Sequence, residues 1–139
     1  RELDISRQKS KLPKNIAVVG AGPAGMSAAL TAAESGHTVT LYEGSAELGG
    51  QFNLAKRIPG KEDFDETIRY FKTRLTEEGV NIQMMTRPAA AELKAADYEH
   101  VVIATGVLPR NPDIPGADRE NVINYHSESW LISEIIDKT

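Results

Sequence analysis

Cysteine is absent from the 139 residues. Its absence excludes from this chain a disulfide, a thiolate zinc site, a thiol nucleophile and a cysteine-ligated iron–sulfur cluster. Any redox chemistry must then run through a bound organic cofactor. Basic charge is also scarce: 16 Lys and Arg stand against 20 Asp and Glu, a net charge of −4. No surplus is left to neutralise a phosphate backbone, so a nucleic-acid partner is not expected. Aromatic residues make up only 6%. The hydrophobic share of 40% still suffices for a core, and 26% charge of mixed sign does not describe a disordered chain. At this length one globular domain, or slightly less, is expected.

Arg1 opens the chain in place of Met, and RELDISRQKSKLPKN has no apolar centre of the signal-peptide kind. A start inside a longer protein is the expectation, with residues 1–14 a basic linker or arm from an upstream domain and 15–139 the domain proper. From Asn15 to Ala33 there are 19 residues without a charge, long enough to raise the question of a membrane span. Glycines and Pro23 interrupt that run and its first part reads as a strand. No membrane partner is expected, and a cytoplasmic location is the simplest.

The elements follow from pattern. Ile16–Val19 is an apolar run closed by Gly20, the form of a strand buried on both faces of a parallel sheet. An alanine-rich helix is predicted from about Ala24 to Ser35, with Gly36 where a left-handed cap belongs. His37–Glu43 is dense in β-branched and aromatic residues and makes a second strand. Residues 44–61 carry Gly44, Gly49, Gly50, Pro59 and Gly60 and read as an irregular excursion. Asp63 as N-cap and Glu66 as its capping-box partner open an amphipathic helix that buries Phe64, Ile68, Phe71 and Leu75 and ends at Gly79. Val80, Ile82 and Met84 alternate with polar residues as a third strand, which Pro88 breaks. A short helix is predicted over 89–96. Val101–Ala104 is another buried strand, ending at Thr105-Gly106. Pro109, Pro112 and Pro115 make an extended exit, and Ser127–Asp137 a last helix.

Between the first strand and the first helix, Gly20-Ala21-Gly22-Pro23-Ala24-Gly25 satisfies G-x-G-x-x-G in the strand–turn–helix context that raises the motif above chance. Gly20 permits the tight turn, Gly22 lets the main chain approach a pyrophosphate, and Gly25 lets the helix sit close on the strands. The ligand's charge would rest on the N–H groups and positive dipole end of the helix. Pro23 is harmless there, since a first-turn N–H has no intrahelical partner. Glu43 closes the second strand 23 residues after Gly20, near the offset of the acid that binds ribose hydroxyls. A carboxylate repels a 2′-phosphate, so the expected ligand is an adenosine without one, as in FAD or NAD. Leu48-Gly49-Gly50-Gln51 follows directly, in a loop able to pass close to a second, larger half of the ligand.

Other chemistry has little support. His37, His100 and His126 lie on unrelated elements with no ligand spacing, so no metal site is expected. Ser27 and Ser45 lack a nucleophile-elbow sequence, and Tyr98, Trp130, Phe64 and Phe71 read as core. No residue is a credible acid or base for reduction of a substrate double bond.

The string IAVVGAGPAGMSAALTAAESGHTVTLYEGSAELGGQFNLAKRIPGKEDF resembles the FAD-binding domain of flavoprotein oxidoreductases with two dinucleotide-binding domains. Within them it is most similar to the bacterial NADPH-dependent 2,4-dienoyl-CoA reductases of fatty-acid β-oxidation, relatives of trimethylamine dehydrogenase and the old-yellow-enzyme-like reductases. The likeness spans about Asn15 to Ile123. GAGPAG and VVIATG are shared by many flavoproteins, whereas GGQFNLAKRIPGK is more specific. The resemblance implies an α/β, Rossmann-like domain in which the Ala24 backbone meets the FAD pyrophosphate and Glu43 holds the ribose. It implies that Gln51 and Lys61 reach the cofactor from the excursion, that the Pro88 carbonyl meets the adenine, and that Ala104-Thr105-Gly106 ends the strand beneath the flavin. The family's FMN-bearing barrel, iron–sulfur cluster, NADPH domain and second FAD-binding stretch have no place in 139 residues, so this is expected to be the first part of an FAD domain and inactive alone in substrate reduction. A non-redox module holding ADP is the other reading.

Overall fold

The computed structural model describes residues 9–107, 113–117 and 119. Four parallel strands form one sheet: β1 (Asn15–Val19), β2 (Thr38–Tyr42), β3 (Asn81–Gln83) and β4 (His100–Ile103), in the order β3-β2-β1-β4. Helices α1 (Pro23–Glu34), α2 (Phe52–Ala55), α3 (Asp63–Glu77) and α4 (Ala90–Ala95) lie between them in sequence. This is the α/β, Rossmann-like fold with a βαβ unit at its start.

β1 is central, and Ile16, Ala17 and Val18 are buried, as an apolar run with no alternation requires when both faces are covered. α1 buries Met26, Ala29, Leu30 and Ala33. α3 closes the core with Ile68 and Leu75. The helices are pinned to each other by Arg74, whose Nη2 lies 3.0 Å from Glu34 Oε1 and 3.0 Å from Glu78 Oε1. Gly36, at φ +88°, follows the last turn of α1 and lets the chain reverse into β2 without the penalty a side chain would bring.

The structure corrects several local expectations. Glu62, not Asp63, takes the cap position of α3; its backbone is already helical, and no side-chain cap bond forms. Glu66 pairs instead with Arg69 one turn on. The excursion contains a helical turn, α2, whose Phe52 ring packs on Phe64 with centroids 4.4 Å apart. β3 ends at Gln83, well before Pro88, because Met85 takes φ +54°. Met85 and Thr86 then donate to the carbonyls of Ser45 and Glu43 at 3.1 and 2.8 Å. β4 is not buried: Val101, Val102 and Ile103 are 40%, 37% and 66% exposed. It occupies the sheet edge beyond β1, and among the described residues no further strand lies beyond it.

Of the basic arm, residues 1–8 lie outside the described residues. The remainder is tied down: Ser10 donates to the Ser35 carbonyl at 2.7 Å, and Thr38 to that of Lys14 at 2.9 Å. His126, Trp130, the exit prolines Pro109 and Pro112 and the last predicted helix also lie outside. Among the described residues no helix is long and apolar enough to cross a membrane, and no cluster of metal-ligating side chains occurs.

Tyr98, expected in the core, is only partly buried and sets its hydroxyl 2.9 Å from that of Tyr42. This hydrogen bond, with burial next in importance, pushes the Tyr42 phenol up from 10.0 to about 12. A raised value means the folded state holds the proton more tightly than the unfolded chain. The stabilisation is therefore complete below about pH 10, the unfolded tyrosine value, and is lost as pH rises through the folded one. In Tyr98→Phe, the Tyr42 titration followed by phenolate absorbance should move down toward the ordinary value; an unmoved titration would mean the pair is not its cause.

Candidate functional site

All four strands point their carboxyl ends at one cleft of about 860 Å³, within the range of cofactor sites. The residues after each strand form its floor in spatial order. Ala104, Thr105 and Gly106 follow β4; Gly20, Gly22, Pro23 and Ala24 follow β1; Glu43 and Gly44 follow β2; Thr86, Arg87 and Pro88 follow β3. Gly50 and Gln51 come from the excursion. Of the residues expected at the site, Gly25 and Lys61 do not line the cleft. Lys61 is exposed, with its backbone N–H bonded to the Ile58 carbonyl at 3.0 Å.

The three glycines of the fingerprint differ in what constrains them. A Cβ on Gly20, which has φ +102°, would stand 2.7 Å from the Ala104 carbonyl carbon. One on Gly25 would run into the Gly20 carbonyl group, 2.9 Å from its carbon. Both are demanded by the protein's own packing. Gly22 is not: its φ of −70° and ψ of 179° suit any residue, and a Cβ there would meet nothing within 4 Å. It faces open cleft at the N-terminus of α1. That helix has no side-chain cap and no acidic residue in its first turn, so no side chain of its own answers its positive end. An anion fits there.

Glu43 is held rigidly. Its Oε2 accepts the Ala21 N–H at 2.8 Å, and its Oε1 accepts the N–H and hydroxyl of Ser45 at 2.8 and 2.9 Å. The Ser45 hydroxyl also faces the Glu47 carbonyl at 2.7 Å. Its single proton can turn there, freeing acceptor capacity on a carboxylate that has about four sites. The acid therefore braces the glycine turn while facing the cleft.

The excursion loop is fastened to the same turn, since Gly49 donates to the Ala21 carbonyl at 2.8 Å. Beyond it, Phe52, Leu54, Ala55 and Ile58 give the cleft an apolar wall. These residues, with Tyr42, Gly44, Thr86 and Arg87, were not anticipated from sequence. Phe52, Leu54 and Ala55 carried a signal, the short helical run at 52–55, which the neighbouring glycines obscured; Ile58, just beyond it, carried none. For Arg87 there was none. Glu43 and Arg87 are the two charged residues among those described around the cleft.

The curated relatives include an NADH oxidase of Thermoanaerobacter brockii, 35% identical over 92% of this chain and 20% of that protein. Among solved structures, a 2-naphthoyl-CoA reductase in complex with 2-naphthoyl-CoA superposes with a TM-score of 0.79 at 38% identity, covering 83% of this chain and 17% of that one. Histamine dehydrogenase from Rhizobium sp. 4-9 gives 0.70 at 29% identity over 85% of this chain and 18% of the other. The chain thus spans about a fifth of the length of the relatives it matches. The family described as "Pyridine nucleotide-disulphide oxidoreductase" matches residues 14–134. With that match laid over a parallel sheet, a glycine turn and a braced acid, the chain belongs to the pyridine nucleotide-disulphide oxidoreductase family as an FAD-binding, Rossmann-like domain of a flavoprotein oxidoreductase.

Proposed function

We propose that this chain holds the FAD of an NADPH-dependent reductase similar to the 2,4-dienoyl-CoA reductases, and that the whole protein passes electrons from NADPH through that FAD toward an enoyl thioester. Gly22 carries the reading: it is the fingerprint glycine that the protein's own packing does not require. The N–H groups at the start of α1, Ala24 among them, would receive the pyrophosphate. Glu43 would accept the ribose hydroxyls, and the Pro88 carbonyl would meet the adenine. Gln51, and Lys61 after movement of its exposed side chain, would approach from the excursion, with Ala104-Thr105-Gly106 beneath the ring system.

FAD, when bound, supplies a two-electron acceptor that can also release electrons singly. The chain's own residues would bind and orient it. The apolar wall of Phe52, Leu54, Ala55 and Ile58 favours FAD over ADP, because an aromatic ring system would cover it and a diphosphate end would not. The GGQFNLAKRIPGK segment and the relative solved with an acyl-CoA ligand favour a thioester substrate. Barrel, FMN, iron–sulfur and NADPH sites would belong to other parts of the whole protein.

The test is calorimetric titration of nucleotide-depleted protein with FAD and with NADPH. FAD is expected to bind more tightly, because Glu43, braced by Ala21 and Ser45, cannot swing away from a 2′-phosphate. Tighter binding of NADPH at this site would overturn the assignment.

A further inference from the structure

The strand order makes the cleft a linear array, and the position of Arg87 in it is unexplained by the roles assigned so far. If the pyrophosphate sits at the end of β1 and the ribose at Glu43 after β2, the next group of an extended nucleotide falls at the exit of β3. Arg87 stands there. Its side chain lies flat across Gly44, so closely that a Cβ on that glycine would be 2.9 Å from Arg87 Cγ and would also strike Nε. Gly44 therefore gives the arginine its path back over the end of β2, toward the same cleft. The guanidinium is planar, weakly hydrated and suited to stacking on aromatic faces.

We propose that Arg87 is a specificity-determining residue of the nucleotide site, covering the face of the purine ring, with Gly44 as the platform that positions it. This rests on the reading of the cleft as a dinucleotide site. An alternative charge contact with the pyrophosphate is disfavoured by placement: β2, with Glu43 at its end, stands between Arg87 and the helix N-terminus.

The experiment compares wild type, Arg87→Ala, Arg87→Lys and Gly44→Val, each nucleotide-depleted and checked for fold by circular dichroism. ADP, UDP, FAD and NADPH are the titrants. Arg87→Ala should weaken ADP and FAD about fivefold, the scale of a cation–π contact, while UDP, with its smaller ring, changes less. Arg87→Lys should fail to restore ADP affinity, since it keeps the charge without the plane, and Gly44→Val should reproduce the loss. Equal losses for ADP and UDP, full rescue by lysine, or unchanged ADP affinity would each overturn the role. A wild-type preference for NADPH that vanishes in Arg87→Ala would assign the arginine to a 2′-phosphate and overturn it too. If the wild type binds neither FAD nor ADP, the dinucleotide site itself falls, and this role with it.

Discussion

Gly22→Val is expected to fold as the parent does and to lose more than tenfold in FAD affinity, over about 1.4 kcal/mol. The backbone at this position is extended and suits a branched residue, and a Cβ placed there would have no protein atom within 4 Å. Removing a glycine also restricts the unfolded chain, worth about 0.4–1 kcal/mol where the native conformation tolerates it. The melting temperature should therefore hold or rise while binding collapses. Titration calorimetry and a thermal melt on the same sample read both effects. A folded variant with undiminished FAD affinity would remove the pyrophosphate from this turn.

Three residues on, the same kind of change should do the reverse. In Gly25→Ala the added methyl is directed at the Gly20 carbonyl, a backbone group that cannot rotate away. Helix propensity alone favours alanine over glycine by up to about 1 kcal/mol. Overpacking a rigid neighbour costs about 1–3 kcal/mol, and contact with backbone belongs at the upper end of that range. We expect a net loss of about 2 kcal/mol in urea denaturation, with FAD binding weakened because α1 must lift from β1. A stabilised variant would show that the helix–strand contact is looser than its geometry.

What could be read from the sequence was local in origin. The β1-α1-β2 unit declares itself because strand, glycine turn, helix and acid succeed one another within 30 residues, each with its own residue chemistry. Gly20, Gly22 and Glu43 could be proposed for the site from the strand–turn–helix spacing alone, whereas Ala104–Gly106 came only with the family resemblance; a parallel sheet brings all these strand ends to one side. What could not be read depended on distant partners. The apolar run Val101–Ile103 declares a strand that wants cover, but not which atoms supply it. Asp63 looked like a cap because the sequence cannot show that Glu62 is already helical. Arg87 reaches its place only through a bare patch of backbone at Gly44, a contact across more than 40 residues that no spacing rule encodes.

The two margins of the sheet differ in a way that bears on handling the protein. β3 is three residues long and exposes Asn81 and Gln83; short polar margins of this kind resist pairing with other chains. β4 offers the opposite, a run of Val101, Val102 and Ile103 with accessible side chains on a margin that no further strand pairs among the described residues. Such a margin is a template for self-association. Loss of material on concentrating this polypeptide would then be directional, seeded at β4 rather than spread over the surface, and a lysine in place of Ile103 would be the economical way to suppress it.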